Sequence, residues 1–393
     1  MSLKTYAIYL HIPFCTHRCA YCDFNTYTGL EDLVPAYVDA LCAEIQSAYQ
    51  SLDQRLPVGS VFFGGGTPSL LAVNDVERIL LTIENCFNLQ DDVEISLEAN
   101  PGTISEYRLR GLSRIGVNRL SIGMQSANSN DLRLLERQHN LDDICIAIKA
   151  GRNAGFENIN LDLIFGIPYQ SLDSWQGSLS MALSLQPDHF SLYALTLEPG
   201  TPMNSWVNQG LISMPDPDLA AEMYEYAGER LAESGFDQYE ISNWARKSDN
   251  HRFRCQHNLC YWRFEPYLGF GAGAHGFAMG IRTINVMTPQ KYIRSMSGIS
   301  RNTNFPLTLA TDSYHSIDDG EEMGEYMMMG LRLVQEGISL ADFQNRFGAT
   351  LHANYADEVR RLEKAGLLEF HHGVLRLTKR GYLLGNQVFQ AFL

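Results

Sequence analysis

A regular alternation of strand-like and helix-like runs through the first 235 residues constrains this chain more than any other feature. Six β-rich runs, TYAIYLHIP, SVFFGGG, DVEISLEAN, NRLSIGMQS, NINLDLIFGIP and HFSLYALTLEPG, are separated by segments of helical period. The helical segments are read at Tyr37 to Leu52, Asn74 to Phe87, Arg108 to Ile115, Leu141 to Ala154, Ser174 to Leu185 and Asp216 to Ser234. Asn74 and Glu77 have the spacing of a capping box. Strands joined in this way run parallel and need helices on the outside, so the expected class is α/β. Parallel sheets bind ligands beyond the carboxyl ends of their strands. Five successive ends carry unusual residues: the cysteines, GGGTP, Glu98-Ala-Asn-Pro, Gln125, and Asp162 to Pro168. They read as one crown of loops around a mouth.

From about Phe236 to Ser300 the alternation stops and the chain becomes rich in aromatic residues and glycine. A helical run, EEMGEYMMMGLRL, follows, and its Met327-Met328-Met329 reads as core helix. The tail reads as helices at 340–347 and 356–365, a hairpin turning near Gly373 and a last helix, a winged-helix-like module. The expected domains are 1–235, 236–300 and 301–393.

Composition narrows the partners. A formal charge of -15 disfavours nucleic acid and anionic membrane surfaces. From Leu331 onward eight Lys/Arg against six Asp/Glu give 8 − 6 = +2, weak for a DNA reader. No run of about 18 apolar residues is present, so no membrane span is encoded, and no signal peptide is legible at the N-terminus. The expected location is cytoplasmic. There, thiols serve metals or chemistry more readily than disulfides.

Three of the eight cysteines form Cys15-Thr-His-Arg-Cys19-Ala-Tyr-Cys22, a C-x3-C-x2-C loop. Three thiolates can hold three irons of a [4Fe–4S] cluster and leave the fourth open to an exchangeable ligand. A structural zinc site is the alternative, with His17 or His11 as fourth ligand. The trio Gly64-Gly65-Gly66 reads either as an ordinary strand-to-helix turn or, on the face that carries the cysteines, as a cofactor loop.

The loop resembles that of the radical S-adenosylmethionine superfamily, and GGGTP resembles its motif for the methionine moiety. HIPFCTHRCAYCDF, FFGGGTPS, EANPGT, RLSIGMQS and DLIFGIPYQ together resemble one branch, which holds oxygen-independent coproporphyrinogen III dehydrogenases and related heme chaperones. The resemblance spans essentially the whole chain. It implies a partial (β/α)6 radical-SAM barrel, a [4Fe–4S] cluster on Cys15, Cys19 and Cys22, and bound S-adenosylmethionine. The family's cofactor contacts fall on Tyr9, Tyr21, Gly65, Gly66, Thr67, Glu98, Gln125, Arg137 and Asp162.

Within the branch two features favour the chaperones. The dehydrogenases extend their loop to C-x3-C-x2-C-x-C, where this chain has Phe24, and carry a longer segment before the loop than the 14 residues found here. The run His257-Asn258-Leu259-Cys260-Tyr261-Trp262 also matches the chaperones' H-N-x-x-Y-W motif. His257 offers an imidazole for heme iron, while Tyr261 and Trp262 offer flat faces. The other reading of the segment is a buried aromatic seam that packs the barrel bottom or closes its open side. The resemblance implies a chaperone that binds heme and passes it to acceptor hemoproteins, membrane-associated ones included. The rival is an active radical enzyme acting on a porphyrin.

Overall fold

The computed structural model describes residues 4–297 and 303–393. Six parallel strands lie side by side in chain order: β1 (Tyr6–Ile12), β2 (Pro57–Gly65), β3 (Asn88–Ala99), β4 (Arg119–Gln125), β5 (Asn158–Phe165) and β6 (His189–Ala194). The intervening helices include Val34–Gln50, Val73–Cys86, Glu106–Arg114, Leu141–Asn153, Leu172–Ser184 and Pro217–Glu233. Strand parity explains the layering. Val61, Phe63, Leu120, Ile122, Leu161 and Leu163 pack with the helices in one core. The opposite parity gives Ser121, Asn160, Asp162 and Ser191, which hydrogen-bond to one another across β4, β5 and β6 on the concave side.

One start signal was misread. The helix Val73–Cys86 is preceded by Ala72 and has no side-chain cap, so Asn74 lies inside the first turn and not at its cap. The preceding 3-10 turn, Pro68–Leu70, fixes the entry two residues earlier than the polar pattern implies.

The described strands of the interval 236–297 join the sheet of the barrel. β7 (Phe236–Glu240) and β8 (Asn243–Arg246) form a hairpin that covers the free edge of β6. On the other side β9 (Tyr267–Phe270) pairs parallel to β1, followed by antiparallel β10 (His275–Ala278), β11 (Ile281–Asn285) and β12 (Thr311–Ser316). The result is a single twelve-stranded sheet. The parallel barrel is left with two open edges, and unpaired edges invite added strands. The boundary expected at 300/301 lies outside the described residues, but β12 beyond it still belongs to the large sheet.

A buried carboxylate ties this late segment to the first helix. Glu44 accepts from Gly271 N at 2.9 Å, Asn285 Nδ2 at 2.8 Å, Tyr292 OH at 2.6 Å and Thr308 Oγ1 at 2.8 Å. Burial pushes its pKa up, and these four donors work against that rise.

The tail has its own core around Phe343, Leu362, Leu375 and Val388. Helices Leu340–Phe347 and Leu351–Lys364 lead into a hairpin of β14 (Leu368–His371) and β15 (Val374–Leu377), with the short β13 (Ile338–Ser339) beside it. His372 and Gly373 both have positive φ, as a two-residue hairpin turn requires. No helix among the described residues is long and apolar enough to cross a membrane.

Candidate cofactor site at the barrel mouth

A cavity of about 460 Å3 opens at the carboxyl ends of the parallel strands. Cys15, Cys19 and Cys22 line it together with Tyr21, Gly65, Gly66 and Thr67; Glu98, Gln125, Arg137 and Asp162 complete its wall. All three thiols are free. The loop after β1 is held at both ends, since Cys15 N donates to Tyr27 O at 2.9 Å and Tyr27 N to Pro13 O at 2.8 Å. A tight turn, Cys22 N to Cys19 O at 3.1 Å, brings the last two thiols onto one side.

A polar circuit connects the loop to its neighbours. Thr67 Oγ1 donates to Cys15 Sγ at 3.5 Å, and Asn100 Nδ2 donates to Thr67 Oγ1 at 3.1 Å. Arg137 Nη2 donates to Asn100 Oδ1 at 2.6 Å and to Gly123 O at 2.9 Å, while its Nη1 reaches Cys19 Sγ at 3.6 Å. The guanidinium thus stands beside a thiol and not in solvent. Its Nε has no partner and is buried.

The glycines also meet a packing constraint of the fold itself. A Cβ on Gly66 would stand 3.0 Å from Cys15 Sγ and 2.7 Å from Phe14 O, and one on Gly65 would stand 2.6 Å from the His11 ring. They let the turn after β2 press against the cysteine loop, so the protein's own packing demands them. Gly65 N donates to Glu98 Oε2 at 3.1 Å.

Two carboxylates face the cavity; among the described residues neither is ion-paired, although the nearby Arg119 guanidinium lowers the pKa of both. Burial first, then Asp162, pushes Glu98 up to about 8. Burial also raises Asp162, against hydrogen bonds from Ser121 and Asn160. Both side chains are only partly covered, because the cavity beside them is open. Gln125 sits in the left-handed region at φ 62°, a strained placement that turns the chain away at the end of β4.

Tyr9 is not in the cavity wall. Its hydroxyl meets His11 Nδ1 at 3.1 Å, and its ring packs against Phe62 and His257 at 6.3 and 6.2 Å. Of the two histidines of the zinc alternative, His11 is engaged at both nitrogens, while His17 stays in the cavity wall. His11 Nε2 bonds Asn25 O at 2.9 Å, and His17 lies 3.8 Å from Glu136. Among the described residues, no three His, Cys, Asp or Glu side chains are placed to hold one metal ion. Sequence reasoning missed Asn100 and Tyr193. Asn100 shares the parity of Glu98, two residues on. Tyr193 shares that of Ser191, and it is 43% exposed because it borders the mouth.

The 257–262 motif lies elsewhere. It forms the helix Gln256–Trp262, packed on β1 and β2. His257 is buried: its ring bonds Ser60 Oγ at 3.0 Å through Nδ1 and Tyr261 OH at 2.8 Å through Nε2. Phe62 stacks on it at 5.0 Å. Burial pushes its pKa down to about 3, assisted by Arg119. Glu94 accepts from the backbone N–H groups of Gln256 and His257. The expectation that His257 offers a nitrogen to iron is not met in this conformation, since both nitrogens are engaged. Tyr261 and Trp262 instead border a second cleft of about 370 Å3, which also contains Tyr9, Phe277, His275 and Met329.

A parallel half-barrel with three thiols at its mouth defines the class, and a model of the Radical SAM superfamily matches residues 9–182. A model of the HemN C-terminal domain matches residues 317–384. The chain is 36% identical to the heme chaperone HemW of Bacillus subtilis, over 98% of both chains. It is 33% identical to HemW of Lactococcus lactis, over all of this chain and 98% of that one. It is 35% identical to the bovine mitochondrial radical S-adenosyl methionine domain-containing protein 1, over 95% of this chain and 84% of that one. The solved Escherichia coli coproporphyrinogen III oxidase HemN superposes with a TM-score of 0.83 over 99% of this chain and 90% of its own, at 22% identity, a likeness of fold. The chain belongs to the HemW family of radical SAM proteins.

Proposed function

We propose that this chain binds heme and transfers it to acceptor hemoproteins, and that it carries a [4Fe–4S] cluster and S-adenosylmethionine at the barrel mouth. The observation that carries the cofactor half is one cavity that gathers three free thiols, a buried guanidinium and two carboxylates with raised pKa values. The heme half rests on full-length relatives named heme chaperones and on an aromatic cleft beside the 257–262 helix.

Cys15, Cys19 and Cys22 would hold the cluster, which supplies an open iron for the amino acid end of the cofactor. The positive sulfonium and ammonium of S-adenosylmethionine suit the two carboxylates, whose pKa burial raises and Arg119 only partly offsets, because a cation there lets both ionise. Glu98 and Asp162 would accept from the ammonium and the ribose hydroxyls, with Gln125 beside them. Arg137 would orient the cofactor carboxylate from its place against Cys19. Tyr21, Gly65, Gly66 and Thr67 would line its methionyl end. Tyr261 and Trp262 would face the porphyrin, with His257 fixing the Tyr261 hydroxyl. Thiols that must stay reduced suit a cytoplasmic location.

The complete mouth favours a second reading, an active radical enzyme on a porphyrin. Against the dehydrogenase version stands Phe24, which is 61% exposed at the cavity lip where those enzymes have a further cysteine. Both readings meet in one experiment. Anaerobically reconstituted protein is loaded with hemin and mixed with heme-free myoglobin as a general acceptor; a parallel sample receives coproporphyrinogen III, S-adenosylmethionine and reductant. Heme should pass to the acceptor and coproporphyrinogen should remain unchanged. Steady decarboxylation without heme retention would overturn the proposal.

A further inference from the structure

Three histidines stand at or behind the aromatic cleft, and they differ in what their nitrogens do. His11 uses both, on Tyr9 OH and Asn25 O. His257 uses both, on Ser60 and Tyr261. His275 is exposed at the start of β10, and its ring makes no hydrogen bond among the described residues. We propose that His275 is the imidazole ligand to heme iron, with the porphyrin laid in the cleft between the 256–262 helix and β10. This inference rests on the heme reading above and names the iron ligand within it.

Heme iron needs a nitrogen with a free lone pair facing an apolar slot wide enough for a flat ring. Tyr261, Trp262, Phe264 and Phe277 supply the apolar walls, and Met329 adds a thioether that could serve as a second soft ligand. Backbone packing holds His275 in place. A Cβ on Gly269 would overlap the His275 carbonyl at 1.9 Å, so β9 and β10 press together only because that residue is glycine. Register places His275 opposite Ile284 on β11. The cleft is at the small end of ligand pockets, about 300–1,000 Å3, so a macrocycle would be only partly enclosed, as a heme destined for release requires. The cleft and the mouth are separated by one layer of side chains. His11 lies behind Gly65, which donates to Glu98 on the other side.

The test is anaerobic hemin titration into the full-length wild type, His275→Ala and His257→Gln, read by heme absorption, with cluster iron counted in each sample. His275 is exposed and unbonded, so its replacement should leave the melting point and cluster content unchanged. The expected result is that His275→Ala loses the imidazole-ligated spectrum and binds hemin at least about tenfold more weakly. Free imidazole added to that variant should restore the spectrum. A folded His257→Gln should keep the wild-type spectrum. If His275→Ala gives the wild-type spectrum, the ligand assignment is wrong while heme binding stands. If the wild type itself takes up no stoichiometric hemin, the heme reading falls and the ligand assignment falls with it.

Discussion

The mouth and the seam around His257 are both polar pockets of one barrel, and they treat their polar groups in opposite ways. At the mouth neither carboxylate is ion-paired among the described residues, with only Arg119 nearby to lower them, and Arg137 Nε has no partner. In the seam the imidazole, the Ser60 and Tyr261 hydroxyls and the backbone N–H groups under Glu94 are all paired. Leaving a buried polar group unmet costs about 1–3 kcal/mol. The unmet atoms, Arg137 Nε at the mouth and Trp262 Nε1 beside the aromatic cleft, mark regions with room for a ligand, whereas the closed ring of bonds around His257 is built for itself. The difference separates a ligand site from a structural one even where both hold residues of a recognised motif.

The largest expected effect lies at the mouth. A Cys15, Cys19 and Cys22 triple-alanine variant should fall from about four bound irons per chain to nearly none after reconstitution. Retention of four irons would show that the mouth thiols do not hold the cluster. Next, in the seam, His257→Ala should lower unfolding stability by about 2–4 kcal/mol, because it leaves Ser60 and Tyr261 unpaired beside a void. Urea denaturation reads this directly, and a loss below about 1 kcal/mol would deny the seam its structural role.

Arg137→Gln should weaken S-adenosylmethionine binding by about 10–100-fold in calorimetry, as expected for one charge-assisted contact. An unchanged affinity would make Arg137 a purely structural partner of Asn100. The smallest effect is in pH dependence. Glu98 is held neutral up to about 8 in the folded chain but ionises near 4.5 when unfolded. Its contribution to stability is therefore full below pH 4.5 and is lost as pH rises toward 8. The seam runs the other way, since His257 titrates near 6.5 unfolded and about 3 folded, so its contribution is lost as pH falls through that window. Glu98→Gln should flatten the decline between pH 5 and 8, and S-adenosylmethionine should flatten it in the wild type. Parallel curves for wild type and variant would contradict this.

Much of the mouth was legible because strand parity and strand ends are local properties of sequence. Glu98, Gln125 and Asp162 follow from where the β-runs stop, and the cysteine spacing is contiguous. Tyr9 came from the resemblance alone, which aligns a position in the chain and does not say at which depth of the barrel its side chain lies. Two residues below His11, it meets Phe62 and His257 in a lower layer. The docking of β9 on β1 was invisible, since their pairing spans some 260 positions and depends on an open barrel edge. For the same reason His257 looked free in sequence, while its partner Ser60 lies 197 residues away. His275 carries no motif of its own, and only the closing of the cleft sets it apart from its neighbours.

In the proposed arrangement the mouth holds cluster and cofactor while a separate cleft holds heme. The most direct measurement is to count non-heme iron, sulfide and heme in the same anaerobic sample, for the wild type and for the triple-cysteine variant. The wild type should hold about four irons and one heme together, and the variant one heme with almost no cluster iron. Mutual exclusion of heme and cluster, or loss of heme along with the cysteines, would place both at the mouth and contradict it.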